Sequence, residues 1–173
     1  MPVDGMACAM CAEAPLPSPA PDAIADPDAA PRTDGEWTFD ATPHAVREGL
    51  ACLLKSPALA SLGEEDRGTA ELLLAEALNN VVEHAYARWT GDIRISLRSE
   101  GSHIQVRITD QGLPMPGGAP PRGELPEIEA QEDLPEGGFG WFLIRSLSED
   151  LSYLRLGDSN ALSFRIPVDN WTR

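Results

Sequence analysis

The amino-acid sequence predicts an α/β fold, an α+β sandwich with helices packed on one face of a mixed, mostly antiparallel sheet. Three observations point there. The runs DIRISLRS and HIQVRITD alternate apolar and polar residues and are joined by Glu100-Gly101-Ser102, the pattern of an antiparallel hairpin. Upstream lie two segments with apolar residues at helical spacing. Downstream, a third such segment leads into two more strand-like runs, so the expected order is β-α-α-β-β-lid-α-β-β. No internal repeat is visible.

Residues 1–35 are expected to stand apart from this sandwich. The stretch PLPSPAPDAIADPDAAPRTDG has almost no large apolar side chains, so burial cannot offset the entropy of ordering it. It reads as a disordered or loosely ordered arm, with 36–173 as the folded domain. Cys8 and Cys11 form a CxxC there, but a structural zinc takes four ligands and no second pair lies near, so they read as incidental thiols. With Cys52 they number three, too few for a closed disulfide framework, which suits a reducing compartment.

Within the domain, Trp37 and Phe39 in EWTFD mark a short strand. Thr42-Pro43 offers an N-cap followed by proline at the first helical turn, and Val46, Leu50, Leu53 and Leu54 continue at helical spacing until Pro57 stops the helix. After SLGEED, the acids from Glu64 to Asp66 suit the positive end of a second helix, expected to reach about Trp89 and break at Gly91. In the hairpin, Ile93, Ile95 and Leu97 share one face, as do Ile104, Val106 and Ile108. The segment from Gln111 to Gly138, rich in Gly, Pro and acids, is too long for a routine connection and reads as a lid over about 113–138 or as a disordered loop. A helix then begins at GGFGWFLIRSLSED, followed by LSYLRL, a turn at Gly157-Asp158-Ser159-Asn160, and ALSFRIPV.

The 173 residues, 42% of them hydrophobic, suffice for one compact core. Lys and Arg number 13 against 28 Asp and Glu, a net charge of −15 that repels nucleic acid and anionic membrane, and no basic patch offsets it. Without a signal segment or an apolar run of roughly 18 residues, a soluble cytoplasmic protein is expected.

Three stretches carry chemistry. In EALNNVVEHAY, residues 76–86, the side chains of Glu76, Asn80, Glu83 and His84 fall in one narrow arc of a helix, opposite Leu74, Leu78, Val81, Val82 and Ala85. No Lys or Arg between Glu71 and Tyr86 pairs with these acids. The stripe reads either as a solvated face or as a site in which Asn80 gives an oxygen to Mg²⁺ and Glu76 serves as a general base. The strand HIQVRIT then exits into Asp110-Gln111-Gly112-Leu113-Pro114, where a carboxylate can accept from an exocyclic amine and glycine admits a flat base. Alone, such a DxG is also a common turn. Finally Gly137-Gly138-Phe139-Gly140 opens the last helix, leaving free N–H groups suited to an anion, or simply ends a loop.

Together these motifs resemble the N-box and the two glycine boxes of the GHKL superfamily, most closely its small anti-sigma-factor serine/threonine kinases of bacterial partner switching. The resemblance spans about Trp37 to Val168. It implies a Bergerat-type ATP-binding fold, with ATP between the helices and the lid. By position it assigns Asn80 to Mg²⁺, Glu76 to the catalytic base, Asp110 to adenine with Gly112 beside it, and Gly138 and Gly140 to the phosphate end of the lid. His84 belongs to the same pattern and reads as a packing or hydrogen-bonding group.

The chain departs from the pattern in two places. Pro135-Glu136 precedes the second glycine box where some members carry arginine, and Ala161-Leu162-Ser163 stands where many carry Gly-Thr. The implied function is an ATP-dependent kinase that phosphorylates a small anti-sigma antagonist and regulates a sigma factor. The alternative is a non-catalytic, nucleotide-dependent protein-binding regulator, since each acid near a triphosphate raises the electrostatic cost of closing the lid. The length leaves room for little beyond such a domain and an arm. His44 lies on the first helix of the domain and reads as structural, not as a phosphoacceptor. A homodimer through the first strand and helix is compatible with the pattern.

Overall fold

The computed structural model describes residues 34–123 and 139–169. Cys8, Cys11, Glu136 and Gly138 lie outside the described residues, as do most of the expected arm and the second half of the expected lid.

Five strands form one sheet in the order β1 (Asp34–Asp40), β2 (Asp92–Glu100), β3 (His103–Asp110), β5 (Ser159–Pro167), β4 (Glu149–Leu156). Each neighbouring pair is antiparallel, so no parallel pairing occurs among the described strands. The alternation read from the sequence sets the faces. Ile95 lies opposite Ile108, which lies opposite Leu162, and these inward residues form one apolar layer. Arg94, Arg98 and Arg107 point to the other face and are exposed.

Helix α1 (Pro43–Leu53) starts as expected, with the Thr42 hydroxyl accepting from the Ala45 N–H at 3.2 Å. Pro57 does more than stop a helix. It opens a short α2 (Pro57–Ala60), for which the Ser56 hydroxyl caps the Leu59 N–H at 3.4 Å. Proline has no N–H to leave unpaired at a first helical position and its φ is already helical, so the residue that ends one helix starts the next.

Helix α3 (Glu64–Asn80) packs Leu73, Leu74, Ala77 and Leu78 onto the sheet. It does not continue as an α-helix to Trp89. From Val81 to Ala85 the chain takes one π-helical turn, and the Tyr86 N–H bonds five residues back to the Val81 carbonyl at 3.1 Å. Tyr86 ends the helix because its hydroxyl is held between strands, donating to the Asp92 carbonyl at 2.9 Å and accepting from the Gln111 N–H at 3.0 Å. Burial pushes this phenol's pKa up, with the Gln111 bond opposing.

Helix α4 (Gly140–Leu147) lies against α3 and buries Ile144. It is shorter than the run to Asp150 suggested. Ser148 is extended and its hydroxyl donates to the Ile144 carbonyl at 2.5 Å, while Glu149 and Asp150 already belong to β4. Asp150 takes φ of 52° at an irregularity in the β4–β5 pairing and its carboxylate meets Arg165 at 2.5 Å. Among the described residues no helix is long and apolar enough to cross a membrane.

Candidate functional site

A cavity of about 480 Å³ opens between the end of α3, the exit of β3, the proline-rich segment that follows and α4. That is within the range of roughly 300–1,000 Å³ common for small-molecule sites. Val81, Leu113, Met115, Trp141 and Leu162 make much of its wall apolar, and polar groups are gathered at two places.

The first is the exit of β3. Asp110 is buried, and its Oδ1 accepts from the Gly112 N–H at 2.8 Å and from Asn160 Nδ2 at 2.7 Å. No donor meets Oδ2 among the described residues. Burial pushes the Asp110 carboxyl above its ordinary pKa, while the bonds from Asn160 and Gly112 and the Arg155 charge pull it back.

Gly112 does not line the cavity. A Cβ there would stand 2.5 Å from the Ala85 carbonyl oxygen, and the Leu113 N–H donates to that oxygen at 2.8 Å. The missing side chain thus admits the end of the π turn, not a flat base as its position beside Asp110 suggested.

The second place is the end of α3. Asn80 lines the cavity, and its Nδ2 is buried with no hydrogen-bond partner. Gly140 adjoins it: a Cβ on Gly140 would lie 3.6 Å from Asn80 Nδ2 and would collide with Glu76 Oε2. The structure therefore brings together Glu76, Asn80 and Gly140, which are separated by up to 64 positions in the chain. Neither Glu76 nor Gly140 is itself part of the cavity wall. Gly140 begins α4 with no side chain capping its first N–H groups.

The π turn alters the rest of the predicted stripe. Glu83 and His84 line the cavity and both are exposed, so His84, expected as a packing or hydrogen-bonding group, is not buried in the core. Asn79 faces solvent. His44 is likewise on the surface, 3.5 Å from Glu48.

The start of the expected lid is tied to α4. Arg145 donates from Nε to the Pro121 carbonyl at 2.6 Å and from Nη2 to the Pro120 carbonyl at 2.8 Å. Gly123, with φ of 65°, packs so closely on the first turn of α4 that a Cβ would lie 2.8 Å from the Trp141 carbonyl oxygen.

Sequence reading missed Asn160, Tyr153 and Arg155. Asn160 is buried, and its Oδ1 accepts from Tyr153 Oη and from Arg155 Nη1, each at 2.7 Å. A signal existed: counting back by two from the inward Leu162 puts Asn160 on the core face of its strand, where a polar side chain needs partners. The turn pattern Gly157-Asp158-Ser159-Asn160 masks that signal.

The donor set suits a cation held largely by its ligand. Among the described residues no group of three His, Cys, Asp or Glu could hold a metal unaided. A single amide with an unpartnered buried atom, able to present oxygen after a half-turn, fits Mg²⁺ completed by phosphate oxygens and water.

A model of the family described as Histidine kinase-like ATPase domain matches residues 39–166. Serine-protein kinase RsbW of Oceanobacillus iheyensis is 33% identical over 121 residues, covering 67% of this chain and 75% of that protein. Serine-protein kinase RsbW of Bacillus thuringiensis is 27% identical over 92 residues, 52% of this chain and 58% of that protein, so the match spans little more than half of that relative. The crystal structure of the RsbU and RsbW domains of Rv1364c from Mycobacterium tuberculosis aligns with a TM-score of 0.55 at 17% identity, over 81% of this chain and 34% of that one. At that identity the likeness is one of fold.

Proposed function

This chain belongs to the histidine kinase-like ATPase domain family, of the serine-protein kinase RsbW type, and on that premise we propose that it is an ATP-dependent serine/threonine-protein kinase. Its substrate is a small anti-sigma antagonist, and phosphorylating that partner determines whether the chain is free to hold a sigma factor. One observation carries the reading: the Glu76 carboxylate lies where a Cβ on Gly140 would stand, next to Asn80, and Asn80 lines the cavity on which Asp110 offers an acceptor.

In this mechanism the adenine amine donates to Asp110 Oδ2 and the ring lies among Met115, Leu162 and the other apolar walls. The triphosphate extends toward Asn80 and the uncapped N–H groups of α4. Mg²⁺, when bound, supplies charge neutralisation on the phosphates. Glu76 takes the proton from the partner's serine or threonine hydroxyl as its oxygen bonds to the γ-phosphorus, and ADP leaves. Gly138 and residues 113–138 as a lid complete the proposed site, over the domain 36–173.

The test is phosphotransfer. Purified protein is incubated with Mg-ATP and candidate antagonist domains, and phosphoserine or phosphothreonine on the partner is expected with wild type. Glu76→Ala is expected to lose about 10²- to 10⁴-fold in rate, the usual contribution of general base catalysis. No transfer to any candidate, with Glu76→Ala indistinguishable from wild type, would overturn the kinase reading in favour of a nucleotide-dependent binding regulator.

A further inference from the structure

The buried amide of Asn160 has only one satisfactory orientation. Its Nδ2 faces three oxygens: Asp110 Oδ1 at 2.7 Å, the Leu113 carbonyl at 3.0 Å and the Gly112 carbonyl at 3.4 Å. Its Oδ1 faces two donors, Tyr153 Oη and Arg155 Nη1, each at 2.7 Å. A flipped amide would set oxygen against three acceptors and nitrogen against two donors. The cost of leaving such buried groups unpaired forbids it.

The two donors are themselves committed. Tyr153 Oη accepts from the Met115 N–H at 3.0 Å, so its own proton is left for Asn160, and Arg155 Nη1 also reaches the Gly112 carbonyl at 2.9 Å. The amide's direction is therefore imposed from β4 and passed to β3.

This has a consequence for Asp110. With the Asn160 and Gly112 N–H groups both on Oδ1, a proton cannot occupy that oxygen, and the carboxylate plane is held by two bonds at one end. Oδ2 is left as a bare acceptor. Burial favours the neutral acid here, and Asn160 is the largest of the influences opposing it.

We infer that Asn160 is a positioning residue for base selection: by donating to Oδ1 it holds the Asp110 carboxyl with Oδ2 turned out as the acceptor, so that a purine with an exocyclic amine at that point is chosen over one with a carbonyl oxygen. The inference rests on the proposed nucleotide site and goes beyond it, since Asn160 acts through Asp110. A 6-amino purine donates to Oδ2, whereas a 6-oxo purine brings oxygen against oxygen, and a site built around a polar partner rejects the mismatch strongly.

Calorimetry with ADP and GDP, alongside thermal melting, tests this. Asn160→Asp keeps the volume but faces Asp110 Oδ1 with an oxygen. It is expected to lower the ADP-to-GDP affinity ratio at least tenfold. Tyr153→Phe, which removes one of the two donors fixing the amide and leaves a folded core, is expected to lower the ratio about three- to fivefold. A role in packing alone predicts lower melting temperatures with the wild-type ratio kept. That ratio, unchanged in both Asn160→Asp and Tyr153→Phe, overturns the inference even if overall affinity falls. If Asp110→Asn itself leaves ADP affinity unchanged, the nucleotide-site reading fails, and this inference fails with it for a distinguishable reason.

Discussion

Asp110→Asn separates the structural role of this residue from its proposed role toward a ligand. Both hydrogen bonds that the Asp110 carboxylate accepts fall on Oδ1, from Gly112 and Asn160, and an asparagine oxygen in the same place keeps both. What changes is the other atom, which becomes an NH₂ group facing the cavity. A hydrogen bond to a charged group contributes about 1.5–3 kcal/mol, so its loss is expected to weaken ADP binding about 10- to 150-fold. Stability moves otherwise. Because burial raises the carboxyl pKa in the fold, the folded state holds its proton more tightly than the unfolded chain does. That contribution is full below the unfolded pKa near 3.8 and is lost as pH rises through the folded value. At pH 7 the asparagine variant escapes this loss, and its Tm relative to wild type is expected to be higher at pH 7 than at pH 4. At pH 7 the Tm should be no more than about 3 °C below wild type. Isothermal titration with ADP and thermal melting at the two pH values read both quantities. Unchanged ADP affinity would refute the assignment of Asp110 to the base. A Tm lowered by about 8 °C or more at pH 7 would refute the claim that the Oδ1 bonds carry its structural role.

Gly140→Ala should leave the helix intact or raise its stability by about 0.5–1 kcal/mol, because the added Cβ costs no backbone strain there. It forces the Glu76 carboxylate aside by about 1 Å, a misplacement that costs roughly 10²-fold in rate; unaltered phosphotransfer kinetics would contradict the proposed role of that contact. Asn80→Ala removes an amide whose Nδ2 has no partner, so Tm is expected to hold while Mg-ATP affinity falls at least tenfold. Chelating Mg²⁺ should bring wild type down to the same affinity, and a variant that still responds to chelation as wild type does would remove Asn80 from the metal. Tyr86→Phe leaves the Gln111 N–H and the Asp92 carbonyl unpaired, at about 1–3 kcal/mol, and denaturant unfolding should show that loss at unchanged m-value.

Much of the architecture could be read before any coordinates. The hairpin of β2 and β3, the Thr42 cap and the inward set Ile93, Ile95, Leu97, Ile104, Val106 and Ile108 all appear where alternation and turn chemistry put them. Helix ends were less legible. The spacing of EALNNVVEHAY is the same whether the chain continues as α-helix or widens into a π turn, and the choice lies with Tyr86, whose hydroxyl is anchored by residues beyond the helix. Pro57 shows the same limit, because a proline that cannot continue one helix is equally suited to begin another.

The candidate site divides along the same line. Its groups were identifiable one by one, since an asparagine in a helix, a DxG after a strand and glycines before a helix are local patterns. Their relations were not. Gly140 beside Glu76 depends on how α4 lies on α3, and the true use of Gly112, room for the Ala85 carbonyl, depends on where the π turn ends. The clearest case is Asp110 and Asn160, 50 residues apart, which meet because β3 pairs with β5 in one register, with these two residues opposite each other. Periodicity and turn residues express the short-range preferences of the backbone and are present in the chain before it folds. Register and helix docking are chosen by the burial of a shared core, and a shift of one residue would turn Asn160 to the solvent face and leave Asp110 with one partner fewer.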